Sequence, residues 1–180
     1  MIICAGKSES FDFAKPVGIG LIQSAITLTQ LIIENNPSFL LFVGTAGSYG
    51  NAQVFDVVKT SKASNIELGF LDKLCYSPID SFVETQTPHV SRGTNHLIVN
   101  SSNYITTDSE YAHKMLALGI ELENMEFYSI LSVAKKFNIS ASGFFVVTNF
   151  CNNNAHHDFL TNHAHAKEII TQHVKKNLII

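Results

Sequence analysis

The stretch SFLLFVGTAGSYG, Ser38 to Gly50, decides the architecture. Phe39–Val43 is apolar without alternation, the pattern of a strand covered on both faces. Gly44, Thr45, Ala46, Gly47 and Ser48 follow at once and predict a Gly-rich turn at the strand's C-terminal end. Upstream, MIICAG (Met1–Gly6) is a second apolar run closed by glycine, and VGIG (Val17–Gly20) precedes a periodic segment, Leu21–Ile33. Ile22, Ala25, Ile26, Thr29 and Ile33 share helical spacing and are the expected buried face, and Asn35-Asn36-Pro37 stops the helix. Strand, helix and strand in that order make a parallel βαβ unit.

Beyond Gly50, strands are expected at Val54–Thr60, around His96–Val99, at the edge Gly119–Asn124, and over Ser142–Asn149. Helices are expected at Tyr111–Leu118, Met125–Phe137 and Ala155–Val174. Residues 61–92 are rich in Ser, Pro, Thr and Asp and predict a long surface excursion with one or two short strands. No repeat or linker interrupts the chain, so a single domain over residues 1–180 is expected.

The composition excludes several classes. Hydrophobic residues make up 46% and charged residues 15%. That charge share is below the usual ~25% and fits a core-rich α/β domain or one that buries further surface in an oligomer. With a net charge of −3 and Arg92 as the one arginine, neither nucleic acid nor an anionic membrane surface is an expected partner. No run reaches the ~18 apolar residues of a membrane span. Cys4, Cys75 and Cys151 show no CxxC spacing and read as reduced thiols. The expected location is cytoplasmic.

Three loops follow predicted parallel strands, the edge where open α/β sheets bind ligands. These are GTAGS, NSSNYI and TNFCNNN. The backbone N–H groups of the first could cradle an anion or a hydroxyl-rich ligand. Glu126 is the sharper signal. In ENMEFYSI, Glu123–Ile130, it heads a stripe with Ile130, Val133 and Phe137 at i, i+4, i+7 and i+11. A carboxylate there either escapes to solvent at the helix start, or lines a cleft and accepts hydrogen bonds from vicinal ligand hydroxyls. Met125 beside it offers polarizable contact to a sugar ring. His156, His157, His163, His165 and His173 crowd the last helix without HxxxH or HExxH spacing, so no metal site is expected. The serines show no GxSxG elbow.

The order VGIG, helix, FLLFVGTAGSYG, DVV, LIVNSSNYI, LENMEFYSILSVAKKFNISASGFFVVTN resembles the nucleoside phosphorylase superfamily from about Val17 to the C-terminus. That superfamily includes purine nucleoside and uridine phosphorylases and the methylthioadenosine/S-adenosylhomocysteine nucleosidases. The resemblance implies a three-layer α/β/α sandwich with a central, mostly parallel (mixed) sheet. It implies that Glu126 binds ribose hydroxyls, that Met125 contacts the sugar, and that Gly44, Thr45, Ala46 and Gly47 border the ribose and the attacking phosphate or water. Tyr104 matches a base-stacking aromatic, and Ile105 a position whose backbone meets the base edge. Asn149 falls where nucleosidases and bacterial-type purine phosphorylases carry Asp in a Ser-Asp pair; here the pair is Thr148-Asn149.

The departures matter. An Asp near the purine N7 can act as general acid, whereas Asn149 only donates and accepts hydrogen bonds. Because an Asn recognises 6-oxopurines in the trimeric purine nucleoside phosphorylases, the resemblance implies inosine- or guanosine-like substrates, and the substitution equally suits a weakened enzyme. The position two before Gly44, often Arg in phosphorylases, is Phe42, and Arg92 matches no motif. For a nucleosidase the resemblance implies a carboxylate near the N-terminal loop to activate water, for which Glu9 in GKSES is the candidate, while Lys7 would instead meet phosphate. The chain is also short between SESFDF and AKPVGIG, where the superfamily has further strands. The expected function is cleavage of the N-glycosidic bond of a purine nucleoside, in the first place as a purine nucleoside phosphorylase. The alternatives are a phosphate-independent nucleosidase and a nucleoside- or base-binding protein without turnover. No cofactor is implied beyond inorganic phosphate as co-substrate if cleavage is phosphorolytic, and the expected assembly is a homo-oligomer, at least a dimer.

Overall fold

The computed structural model describes residues 1–86 and 97–178. Arg92 and His96 lie outside the described residues. The strands are β1 (Ile2–Cys4), β2 (Lys15–Pro16), β3 (Phe39–Ser48), β4 (Val57–Thr60), β5 (Lys62–Ser64), β6 (Phe82–Glu84), β7 (Val99–Ser101), β8 (Leu122–Asn124) and β9 (Ser140–Phe150). The helices are α1 (Leu21–Asn35), α2 (Leu68–Leu71), α3 (Ser109–Ala117), α4 (Phe127–Lys136) and α5 (Ala155–Leu178). Among them no helix is long and apolar enough to cross a membrane.

Strand β3 is the axis of a mixed sheet. On one edge it pairs in parallel with β9 along its whole length. On the other it pairs in parallel with β1 near its start and antiparallel with β8 at its end. β7 and β5 extend the sheet in parallel beyond β8, and β6 closes that side antiparallel. The βαβ unit read from the sequence is therefore present, with β1, α1 and β3 in the expected parallel arrangement.

Helices cover both faces, which is why β3 and β9 carry unbroken apolar runs. On one face Phe42, Phe145 and Val147 pack with Leu28 and Ile32 of α1 and with Phe127, Ile130, Leu131 and Ala134 of α4. On the other, Val43, Phe144 and Val146 pack with Ala166, Ile170 and Val174 of α5. Alternate residues of one strand thus feed two cores, giving three layers. Phe127 lies 5.0 Å from Phe145 and 6.1 Å from Phe42, centroid to centroid. Burying such a ring contributes about 1.5–3 kcal/mol, and it pins the start of α4 to the sheet.

Three expectations need correction. GTAGS is not a turn: β3 runs on through Ser48, with a register shift between Ala46 and Gly47. There β9 inserts an extra residue, Thr148, so the chain bends without leaving the sheet. Helix α4 starts at Phe127 rather than Met125, leaving Glu126 at the N-cap position. Its buried side is Phe127, Ser129, Ile130, Leu131 and Ala134, while Phe137 is exposed. Finally, α1 buries Ser24, Leu28 and Ile32 and turns Ile22, Ile26 and Ile33 to solvent, the reverse of the expected face. The buried serine explains the inversion. Ser24 Oγ meets Ser129 Oγ at 2.5 Å and donates to the Gly20 carbonyl at 2.7 Å, so two small polar residues let α1 and α4 approach closely.

Candidate functional site

A cavity of about 290 Å³ opens at the C-terminal ends of β3 and β9, bounded by the entry to α4, the segment after β7 and the first turn of α5. That is close to the lower bound of small-molecule sites. Ten of the residues singled out in the sequence line it: Glu9, Thr45, Ala46, Gly47, Tyr104, Ile105, Met125, Glu126, Thr148 and Asn149, whereas Gly44 and Lys7 are not part of its wall. Ile19, Glu123, Asn124, His156 and Phe159 also line it, and sequence reasoning had given them no part in a site. For His156 and Phe159 an i, i+3 spacing on the first turn of α5 was the available signal.

Glu126 is 5% exposed and points into this cavity rather than into solvent. Its Oε1 accepts from the Gly20 N–H at 3.0 Å, and Oε2 from Asn124 Nδ2 at 3.1 Å and the Met125 N–H at 3.3 Å. Gly20 makes this possible. Its φ of 83° is in the left-handed region, and a Cβ there would come within 2.8 Å of Asn103 Oδ1, the atom that caps Leu21 N–H. No lysine pairs with Glu126 among the described residues. Burial, with the nearby Glu9 charge adding to it, pushes its carboxyl up to about 7.

Glu9 faces it from the N-terminal loop. Its Oε1 accepts from both the backbone N–H of Thr45, at 3.1 Å, and the Thr45 hydroxyl. Burial raises the Glu9 carboxyl above its ordinary value, and the two Thr45 donors and Lys167 oppose this in part. Lys167 itself is committed elsewhere, donating to the Ser8 carbonyl at 2.8 Å and lying over the Phe11 ring.

Across the cavity, Thr148 donates its hydroxyl to Asn149 Oδ1 at 2.9 Å, and Asn149 Nδ2 donates to the Phe150 carbonyl at 3.1 Å. The second Nδ2 hydrogen remains for a ligand. Tyr104 and Ile105 form an exposed rim, 74% and 55% accessible. Of the helix α5 histidines, His156 reaches the cavity, His173 stacks on Phe144 at 4.1 Å, and His165 meets Phe55 edge-on. No group of three His, Cys, Asp or Glu side chains among the described residues is placed to hold a metal. The cavity therefore combines carboxylates, an amide and apolar walls, a set suited to holding a hydroxyl-bearing ring and activating water.

No protein-family model matches the chain, and no curated protein matches it by sequence. Solved structures match it over nearly its full length. A 5′-methylthioadenosine/S-adenosylhomocysteine nucleosidase described as putative, from Francisella philomiragia, superposes with a TM-score of 0.81 at 15% identity, covering 97% of this chain and 96% of that one. An Asp-to-Asn mutant of the Helicobacter pylori nucleosidase, with 5′-methylthioadenosine in its active site, gives 0.79 at 15% identity over 97% and 95%. Futalosine hydrolase from Helicobacter pylori gives 0.79 at 15% identity over 97% and 94%. At such identities the likeness is one of fold, and these neighbours are nucleoside-cleaving hydrolases rather than phosphorylases. The chain has the fold of the nucleoside phosphorylase and nucleosidase superfamily.

Proposed function

We propose that this protein hydrolyses the N-glycosidic bond of a purine nucleoside, with water rather than phosphate as nucleophile. One observation carries the choice: the described cavity wall holds the carboxylates Glu9, Glu123 and Glu126 and neither lysine nor arginine. A phosphate dianion beside Glu9 would meet like charge in a site whose described wall offers no lysine or arginine to clamp it. A water, in contrast, suits Glu9 Oε2, because Thr45 occupies Oε1. In the proposed complex Glu126 accepts the ribose hydroxyls, Met125 packs on the sugar, Tyr104 and Ile105 cover the base, and Asn149 hydrogen-bonds its edge. This replaces phosphorolysis, the first expectation from sequence.

The test is base release from inosine, guanosine and 5′-methylthioadenosine with and without phosphate. Equal release in both is the expected result, and phosphate-dependent release overturns it. Asn149, which cannot yield a proton, favours a second reading, binding without turnover. Thermal stabilisation by nucleosides with no release would establish that reading instead.

The assembly we propose is a homodimer through α1. Ile22, Ile26 and Ile33 are 71%, 61% and 70% exposed on a helix face without lysine or arginine. The face continues through Ile19 into the cavity wall, next to the open Tyr104 rim. A second copy seated there would cover the stripe and close the cavity's open side. Ile26→Glu is expected to shift sedimentation from dimer to monomer; a monomeric wild-type protein would refute the assignment.

A further inference from the structure

Hydrolysis as proposed above needs a proton for the departing base, and the Asn149 carboxamide has none to give. The geometry points to Glu123 as its source: this carboxyl group, beside Asn149 on the cavity wall, is the general acid that protonates the leaving purine. The inference rests on the hydrolytic reading and adds a residue to it.

The sheet register brings the pair together. Gly47 of β3 is paired with Glu123 of β8 on one side and with Asn149 of β9 on the other, so the three form one row across three strands. Paired residues present their side chains on one face, and Gly47 leaves that face open. A Cβ on Gly47 would stand 3.1 Å from Asn149 Nδ2 and 3.3 Å from Glu123 Cγ. Both side chains therefore lean over the glycine into the same space, and both line the cavity.

Glu123 is 7% exposed and firmly oriented. Oε1 accepts from the Thr106 N–H at 3.0 Å, and Oε2 faces the Tyr49 hydroxyl at 2.9 Å. Thr106 adjoins Ile105, the residue assigned to the base edge, so Glu123 belongs to the base end of the cavity. Glu126 and Glu9 belong to the sugar and nucleophile end. The titratable groups facing Glu123 are the Tyr49 phenol and the Cys151 thiol. Burial, with the Glu123 charge adding to it, raises both, so they stay neutral and bring no positive charge. Desolvation likewise pushes the Glu123 carboxyl up, against the pull of Thr106 and Tyr49, and favours the form that carries a proton.

The step balances. The C1′–N bond breaks with its electron pair going to the base, and the Glu123 proton moves to a base nitrogen. Water oxygen bonds to C1′ as its proton passes to Glu9. After product release Glu9 loses that proton to solvent and Glu123 takes one back.

The test compares kcat/KM for inosine with that for 4-nitrophenyl ribofuranoside, whose phenolate departs without protonation. Glu123→Gln is expected to lose about 100-fold or more on inosine and at least about tenfold less on the nitrophenyl substrate. Asn149→Asp added to that variant should restore part of the inosine rate. Parallel losses on both substrates, or a loss under about threefold on inosine, overturn the assignment of Glu123 and leave hydrolysis standing. A wild-type protein that cleaves neither substrate overturns both. If the variant does not fold, the wild-type pH profiles decide. Inosine cleavage should fall on a basic limb that nitrophenyl cleavage lacks, and matching profiles count against Glu123.

Discussion

Glu9→Gln is expected to lower kcat for nucleoside hydrolysis by about 10²–10⁴-fold, the range for removal of a positioned general base, with little change in KM. Glutamine keeps an oxygen for the Thr45 N–H and hydroxyl that hold Oε1 of Glu9. The loop geometry therefore survives, and what is lost is the basic oxygen facing the cavity. A fall in kcat with KM unchanged is the signature of an interaction made only on the way to the transition state. The pH profile gives a second readout. Burial raises the Glu9 carboxyl above its ordinary value, so wild-type activity should fall with acid at a pH above that of an exposed glutamate. The variant should lack this acidic limb. A variant that retains a third or more of the wild-type kcat would remove Glu9 from the water-activating role. It would leave the hydrolytic reading without its base, whatever the result with phosphate.

What could be read from sequence followed from burial on both sides. β3 and β9 are sandwiched between α1/α4 and α5, so their apolar runs are unbroken and the layered α/β architecture shows in them directly. Glu126 was visible because a carboxylate at the head of an apolar segment has to be accounted for. Its stabilising donor was not, since Gly20 lies 106 positions upstream. The strand character of GTAGS was hidden for a related reason: the bulge arises in the partner strand, where Thr148 is the extra residue. On α1 the exposed face is itself isoleucine-rich and the buried face contains Ser24, so periodicity selected the wrong side. Glu123 lies in Gly119–Asn124, which the sequence marks only as a strand edge. It is buried because β8 docks antiparallel against Gly47, a long-range pairing with no local trace.

Glu126 makes the protein's stability and its ligand response depend on pH in opposite directions. Its carboxyl is raised from 4.5 to about 7 in the folded state. Between those values the unfolded chain is ionised while the folded one keeps its proton. The associated stability is present in full below pH 4.5 and is lost as pH rises through about 7. The separation corresponds to about 3 kcal/mol, and Glu9 and Glu123, also raised, act with the same sign. By these carboxyls the ligand-free protein should be more stable to denaturant at pH 5 than at pH 8, with His163 and His173, whose pKa burial lowers, opposing in part. Glu126→Gln should reduce that difference by about 3 kcal/mol, since glutamine does not titrate. Nucleoside binding should run the other way. Ribose hydroxyls donate to the ionised carboxylate, so affinity should rise up to about tenfold per pH unit below 7 and then level. Glu126→Ala should abolish thermal stabilisation by nucleosides at every pH. Denaturation of the wild type and Glu126→Gln at the two pH values, with nucleoside titrations of the wild type and Glu126→Ala, checks each part. An unchanged pH dependence in Glu126→Gln would show that the carboxyl titrates normally, and an unchanged ligand response in Glu126→Ala would place the sugar elsewhere. The opposition has a structural origin: the three donors from Gly20, Asn124 and Met125 orient the carboxylate without neutralising it. The remaining stabilisation is left for the ligand to supply.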